Sequence, residues 1–208
     1  MKSDEAAAEI RQAIRQGVLA PGQELLQDEY ARRLGLSRIP LREALQSLTA
    51  VGILTASGRG FRVTRLDADE VDELYRLRLQ IEPPLAVDVV GAIRPAQLDR
   101  LRQLDKAMEE AGDNHAEWVQ LNHLFHVELY RAADRPHTLR IVRQLLDLVA
   151  PYSNLYVHTL EGRARAESEH GEMVAAIEEG RADELERQIE LHLTGARDAV
   201  LTGMKRIP

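Results

Sequence analysis

The stretch Ala31-Arg32-Arg33-Leu34-Gly35-Leu36-Ser37-Arg38-Ile39-Pro40-Leu41-Arg42-Glu43-Ala44-Leu45 decides the fold of the front of this chain. Gly35 separates two segments of helical apolar spacing. Asp28 to Leu34 reads as a short helix with Tyr30, Ala31 and Leu34 on its inner face. Leu36 then leads to Ser37, a good N-cap, and a second helix is predicted from Arg38 to about Val51, closed by Gly52. Pro40 lies in the first turn, where a missing N–H costs little. Leu41, Leu45 and Leu48 form an inward stripe that, with Leu34, sets the two helices at a steep angle. Arg38 and Arg42, one turn apart, project from the opposite face.

Working outward, residues 4–16 read as a preceding helix, with Asp4 as its cap, Ile10 and Ile14 at i,i+4 and Gly17 as its stop. Residues 18–25 hold two short apolar pieces around a Pro21-Gly22 turn. Beyond Gly52, Ile53–Ala56 and Phe61–Thr64 are β-leaning runs joined by Ser57-Gly58-Arg59-Gly60, a hairpin with a glycine-rich tip. Two helices, a tight turn and a two-stranded ribbon make a winged helix-turn-helix, whose second helix can enter a major groove by its N-terminal end. Arginine forks onto guanine O6/N7 or clamps a phosphate, which points to Arg38 and Arg42. Ser37 and the backbone N–H groups at this helix start suit a phosphate oxygen. The Gly58-Arg59-Gly60 tip lets the backbone approach a duplex closely.

Charge agrees with that reading. The chain has 208 residues and a formal net charge of -7, yet residues 1–66 hold 10 Lys+Arg against 7 Asp+Glu, and the rest hold 17 against 27. Between Tyr30 and Arg65 there are seven arginines and one acid, Glu43. A basic front on an acidic back fits a polyanion-binding module joined to something that does not touch the polyanion. With no cysteine, disulfides, thiolate zinc sites, iron–sulfur clusters and cysteine nucleophiles are excluded, and a reducing cytosol suits the chain. No apolar run approaches the roughly 20 residues of a membrane span, and the acidic, alanine-rich start is unlike a signal peptide. A soluble cytoplasmic protein without membrane attachment is expected.

From Leu66 onward strand signals vanish. Residues 69–90, 95–111, 116–133, 137–159, 163–179 and 183–202 carry 3.6-type apolar spacing, punctuated by glycine or proline. The fold expected is mainly α: a winged helix-turn-helix over 1–66, then an all-helical bundle of about six helices over 67–208. Pro83-Pro84 should kink or restart the first bundle helix. Within the bundle Asn122 and His126 share a face at i,i+4, while His170 and His192 lie on the inward stripes of the last two helices. Taken singly, each histidine reads best as a satisfied core residue. Three on inward stripes beside a polar neighbour also suit convergence on one ion, since neutral imidazole is a frequent ligand for Zn, Ni and related metals. His123 is one position off that face, and His115, His137 and His158 read as surface or structural.

The residues 17–25, the quoted stretch 31–45, Gly52-Ile53-Leu54 and Gly58-Arg59-Gly60-Phe61 closely resemble the GntR family of bacterial transcription regulators across essentially all of 5–65. The resemblance implies DNA contacts at Ser37, Arg38, Arg42, Gly58 and Gly60, and at Ile39, where the family often has threonine. Asp28 stands where relatives can carry a DNA-contacting arginine. The remainder resembles, through Leu74–Glu82, Asn122-His123-Leu124-Phe125-His126, Glu169-His170 and His192-Leu193, the FadR-type effector domain (FCD) over about 67–203. Members often hold a divalent metal through an aspartate and three histidines, and with it a small carboxylate. Carried over, the ligands are Asn122, His126, His170 and His192, with the metal of Zn or Ni type and weakened by asparagine in place of aspartate. A metal-free site that binds by hydrogen bonds stays open. Arg78 is the implied carboxylate partner, against a surface ion pair with Glu82 at i+4.

The expected function is therefore a non-enzymatic regulator: a homodimer on palindromic double-stranded operator DNA, tuned by a small organic acid. A metal-dependent hydrolase with an accessory DNA-binding module is the alternative, and it lacks a Glu placed as base in the manner of H-E-x-x-H. A protein-interaction bundle has no exposed heptad seam behind it. No catalytic residue is expected.

Overall fold

The computed structural model describes residues 2–58, 60–157 and 160–205, and the side chains of all of these except 154–157, 160 and 161. Arg59 and His158 thus lie outside the described residues. The chain divides into two compact units, one through Asp67 and one from Ala68.

In the first unit α1 (Lys2–Arg15) buries Ala6, Ala7, Ile10 and Ile14 and packs on α3. It begins two residues before Asp4, which therefore sits in the first turn instead of capping it. There its charge still complements the helix N-terminus. The helix α2 (Gln27–Leu34) buries Tyr30 and Ala31 and ends at Gly35, whose φ of 62° is the left-handed conformation glycine adopts freely. Gly35 N–H donates to Arg32 O and Leu36 N–H to Ala31 O, the paired bonds of a Schellman stop. Two residues later α3 (Arg38–Ala50) starts from an extended Ser37 and buries Leu41, Ala44, Leu45 and Leu48.

The ribbon expected to have two strands has three. β1 (Glu24–Leu25), β2 (Leu54–Ser57) and β3 (Gly60–Val63) form an antiparallel sheet in the order β1-β3-β2. Glu24 pairs Arg62 and Leu25 pairs Phe61; Leu54 pairs Val63 and Ser57 pairs Gly60. β1 is too short to show alternation in sequence and exists through its partner strand.

The second unit is helical, with seven helices among the described residues where about six are expected: α4 (Ala68–Ile81), α5 (Leu85–Ala92), α6 (Pro95–Glu110), α7 (His115–Arg131), α8 (Pro136–Val157), α9 (Leu160–Glu178) and α10 (Ala182–Met204). The extra one arises at Pro83-Pro84, where the missing N–H groups restart the helix instead of kinking it. A single core joins Leu101, Leu104 and Met108 of α6 with Trp118, Phe125 and Tyr130 of α7 and with Met173, Leu185, Ile189 and Leu193 of α9 and α10. No described helix is long and apolar enough to cross a membrane.

Candidate DNA-reading surface and buried histidine centre

The first turns of α3 display what the inward leucines exclude. Ser37, Arg38, Ile39 and Arg42 are all exposed, Ile39 by 73%. The Ser37 hydroxyl makes no capping bond to its own helix, so its oxygen remains available. Arg42 has no ion pair or hydrogen bond among the described residues. Arg38 does: its Nε lies 2.9 Å from Asp28 Oδ1 and its Nη2 3.1 Å from Asp28 Oδ2. On the ribbon, Gly58 is exposed with open space around its Cα. Gly60 is tight: a Cβ there would lie 2.9 Å from the Leu25 carbonyl oxygen. Arg62 is neutralised across the sheet by Glu24 at 2.7 Å.

In the second unit three helices bring His126 (α7), His170 (α9) and His192 (α10) together. Their ring centroids lie 4.9–5.2 Å apart, and one nitrogen from each lies within 4.8 Å of the others. All three rings are buried. Phe125 lies against His170 at 4.5 Å between centroids, and Tyr130 stacks on His126 at 6.3 Å. Burial in this aromatic surround, reinforced by mutual repulsion among the imidazoles, holds His126 and His170 well below the ordinary histidine value. They are neutral near pH 7, the form that donates a lone pair.

Hydrogen bonding distinguishes the rings. His126 Nδ1 and both nitrogens of His170 have no partner among the described residues, and neither has Asn122 Oδ1, one turn before His126. Orphaned buried nitrogens on His126 of α7 and His170 of α9, facing a third imidazole on α10, are costly unless something satisfies them, and a divalent transition metal fits those three rings. His192 Nδ1 is occupied instead by Glu169 Oε2 at 2.8 Å, which leaves Nε2 to face outward from that bond. Arg165 Nε donates to the other oxygen of Glu169 at 2.7 Å. Burial pushes the Glu169 carboxyl up, but hydrogen bonds and charge from His192 and Arg165 outweigh it and hold the group below its ordinary value. A carboxylate behind a ring nitrogen is the arrangement that orients ligating histidines. Of the remaining histidines, His123 lies 4.0 Å from Asp147, His115 starts α7 and His137 is exposed.

Arg78 is not on the surface. It is buried with Glu82, its Nε 2.6 Å from Oε1 and its Nη2 3.1 Å from Oε2. The ion pair with Glu82 is therefore present, but inside the bundle, beneath the Tyr75 ring and close enough to His126 to depress it. Roles for Glu169, Arg165 and Asp28 are absent from the sequence reading. Only the i,i+4 spacing of Arg165 and Glu169 offered a signal.

Residues 2–63 match the bacterial regulatory proteins of the gntR family, and residues 73–195 match the FCD domain. This chain belongs to the gntR family, in its FCD-bearing branch. The uncharacterized HTH-type transcriptional regulator YdhC of Bacillus subtilis (strain 168) is 33% identical over 148 residues, 68% of this chain and 65% of YdhC. The HTH-type transcriptional regulator McbR of Escherichia coli (strain K12) is 28% identical over 138 residues, 65% of this chain and 62% of McbR. The matched stretch thus spans less than two thirds of either relative. The solved structure of E. coli McbR/YncC shares the fold at a TM-score of 0.88 and 21% identity, over 97% of both chains. A putative GntR regulator from Rhodococcus sp. RHA1 follows at 0.80 and 20%, over 96% of this chain and 97% of its own. These relatives are regulators, not enzymes, and nothing among them supports the hydrolase alternative.

Proposed function

We propose that the protein is a cytoplasmic homodimer that binds palindromic operator DNA and is tuned by a small organic acid held in its helical unit. The observation that carries the DNA-binding part of this reading is the sidedness of α3: Leu41, Ala44, Leu45 and Leu48 are buried, while Ser37, Arg38, Ile39 and Arg42 stand clear on the other side. Arg38 and Arg42 read base edges, Ser37 takes a phosphate, and Ile39 offers an apolar contact of the kind a thymine methyl accepts. Gly58, Arg59 and Gly60 bring the ribbon tip to the flanking backbone.

In the helical unit Asn122, His126, His170 and His192 would hold a divalent metal of Zn or Ni type, which supplies a positive pole for a carboxylate. Asn122 contributes an amide oxygen without charge, so the occupied centre keeps more positive charge than an aspartate-bearing one and favours anions. Arg78 adds a buried cation beside His126, and its fork is already engaged by Glu82. Effector and operator affinities are then coupled reciprocally.

The test is selection of duplexes from a randomised library by the purified protein, with native mass spectrometry and elemental analysis on the same sample. Expected are an enriched palindrome, a dimer and bound metal, and loss of enrichment in Arg42→Ala with the dimer intact. Unchanged operator affinity in Arg42→Ala would remove α3 as the reading element.

A further inference from the structure

We propose that Asp28 is a positioning residue for sequence reading, holding Arg38 so that the free edge of its guanidinium meets a guanine. This rests on the operator-binding reading above. The pair is side-on: Asp28 Oδ1 and Oδ2 accept from Arg38 Nε and Nη2 at 2.9 and 3.1 Å. That geometry engages Nε–H and one N–H of Nη2. It leaves the Nη1/Nη2 edge, which is the fork that fits guanine O6 and N7.

The pair joins the first turn of α2 to the first turn of α3 and is not a structural strut. Arg38 and Asp28 side chains are 76% and 65% exposed, and ion pairs that open to water contribute about 0–1 kcal/mol to folding. Arg32 lies nearby but bonds to the Asp28 backbone oxygen, not to its carboxylate. An acid on a surface that meets phosphates weakens binding to any duplex. A free arginine there would swing to the nearest phosphate, a contact that carries no sequence information. Asp28 exchanges that non-specific attraction for one fixed orientation of Arg38.

The test uses duplexes selected by the full-length protein, with 7-deazaguanine (which lacks the N7 acceptor) placed at one guanine at a time, and binding read by fluorescence anisotropy. In the wild type one guanine per half-site should lose about tenfold in affinity on that replacement. Arg38→Ala should abolish the loss. Asp28→Ala should shrink it to roughly two- to threefold, while affinity for unrelated duplexes holds or rises and the salt dependence steepens by about one phosphate contact. Asp28→Asn should fall between, and the unfolding midpoints should stay together. An unaltered guanine penalty in Asp28→Ala, or a uniform loss across all sequences, overturns the assignment while leaving operator binding intact. Enrichment of no sequence by the wild type would instead overturn the operator reading itself.

Discussion

Glu169 Oε2 lies 2.8 Å from His192 Nδ1 and fixes which nitrogen of that ring can serve a ligand. Partners of this kind typically contribute 10–100-fold to metal affinity. Glu169→Gln should therefore weaken zinc binding by about tenfold or more, with little change in unfolding midpoint. Competition against a chromophoric chelator measures it. Equal affinity in both proteins would show that the carboxylate serves only Arg165.

Burial makes the Arg78–Glu82 pair sensitive to loss of one member. Glu82→Ala strands a guanidinium inside the bundle and should cost about 3–5 kcal/mol in urea unfolding. Replacing both, Arg78→Met with Glu82→Leu, should recover most of that. A double variant as unstable as the single one would mean that packing, not charge, is responsible.

Asp105 on α6 has an Oδ1 without a partner among the described residues. Burial, then repulsion from Glu109 and Glu167, raises its carboxyl to about 6. The folded state therefore holds a proton that the unfolded state releases between about pH 4 and 6, so this residue costs stability as pH rises through that window. Asp105→Asn should stabilise the protein at pH 8 by about 1 kcal/mol after allowance for solvent screening, and not at pH 4. Thermal melts at both values decide it, and a variant less stable at pH 8 than the wild type contradicts it.

The two glycines of the ribbon tip should separate. Gly60→Ala drives a methyl against the Leu25 carbonyl and should destabilise the first unit by about 1–3 kcal/mol. Gly58→Ala meets nothing within 4 Å and should fold as the wild type does. Matching losses from the two would mean that the approach of β1 to Gly60 carries no weight.

How much the sequence disclosed depended on how local each feature is. The turn at Gly35, the start of α3 at Ser37 and the leucine stripe of α3 are set within a few residues, and each was legible. The three histidines were legible because each lies on a helical apolar stripe, and stripes converge in a bundle. The spacing of Arg78 and Glu82 disclosed the pairing but not its depth, since depth is set by tertiary packing, which brings Tyr130 of α7 to the pair. Asp28 with Arg38, and Glu169 with His192, join different helices and left no periodic trace. β1 escaped notice because two residues carry no pattern.

The central strand β3 is fastened on both sides, to β2 by the hairpin and to the segment before α2 through Gly22 N–H to Val63 O and Val63 N–H to Gln23 O, both at 2.9 Å. The base of the hairpin is thereby tied to the segment that leads into α2. On the proposed reading, a signal that reached this unit would move wing and helices together, and would change where they stand on a duplex and not the shape of their grip.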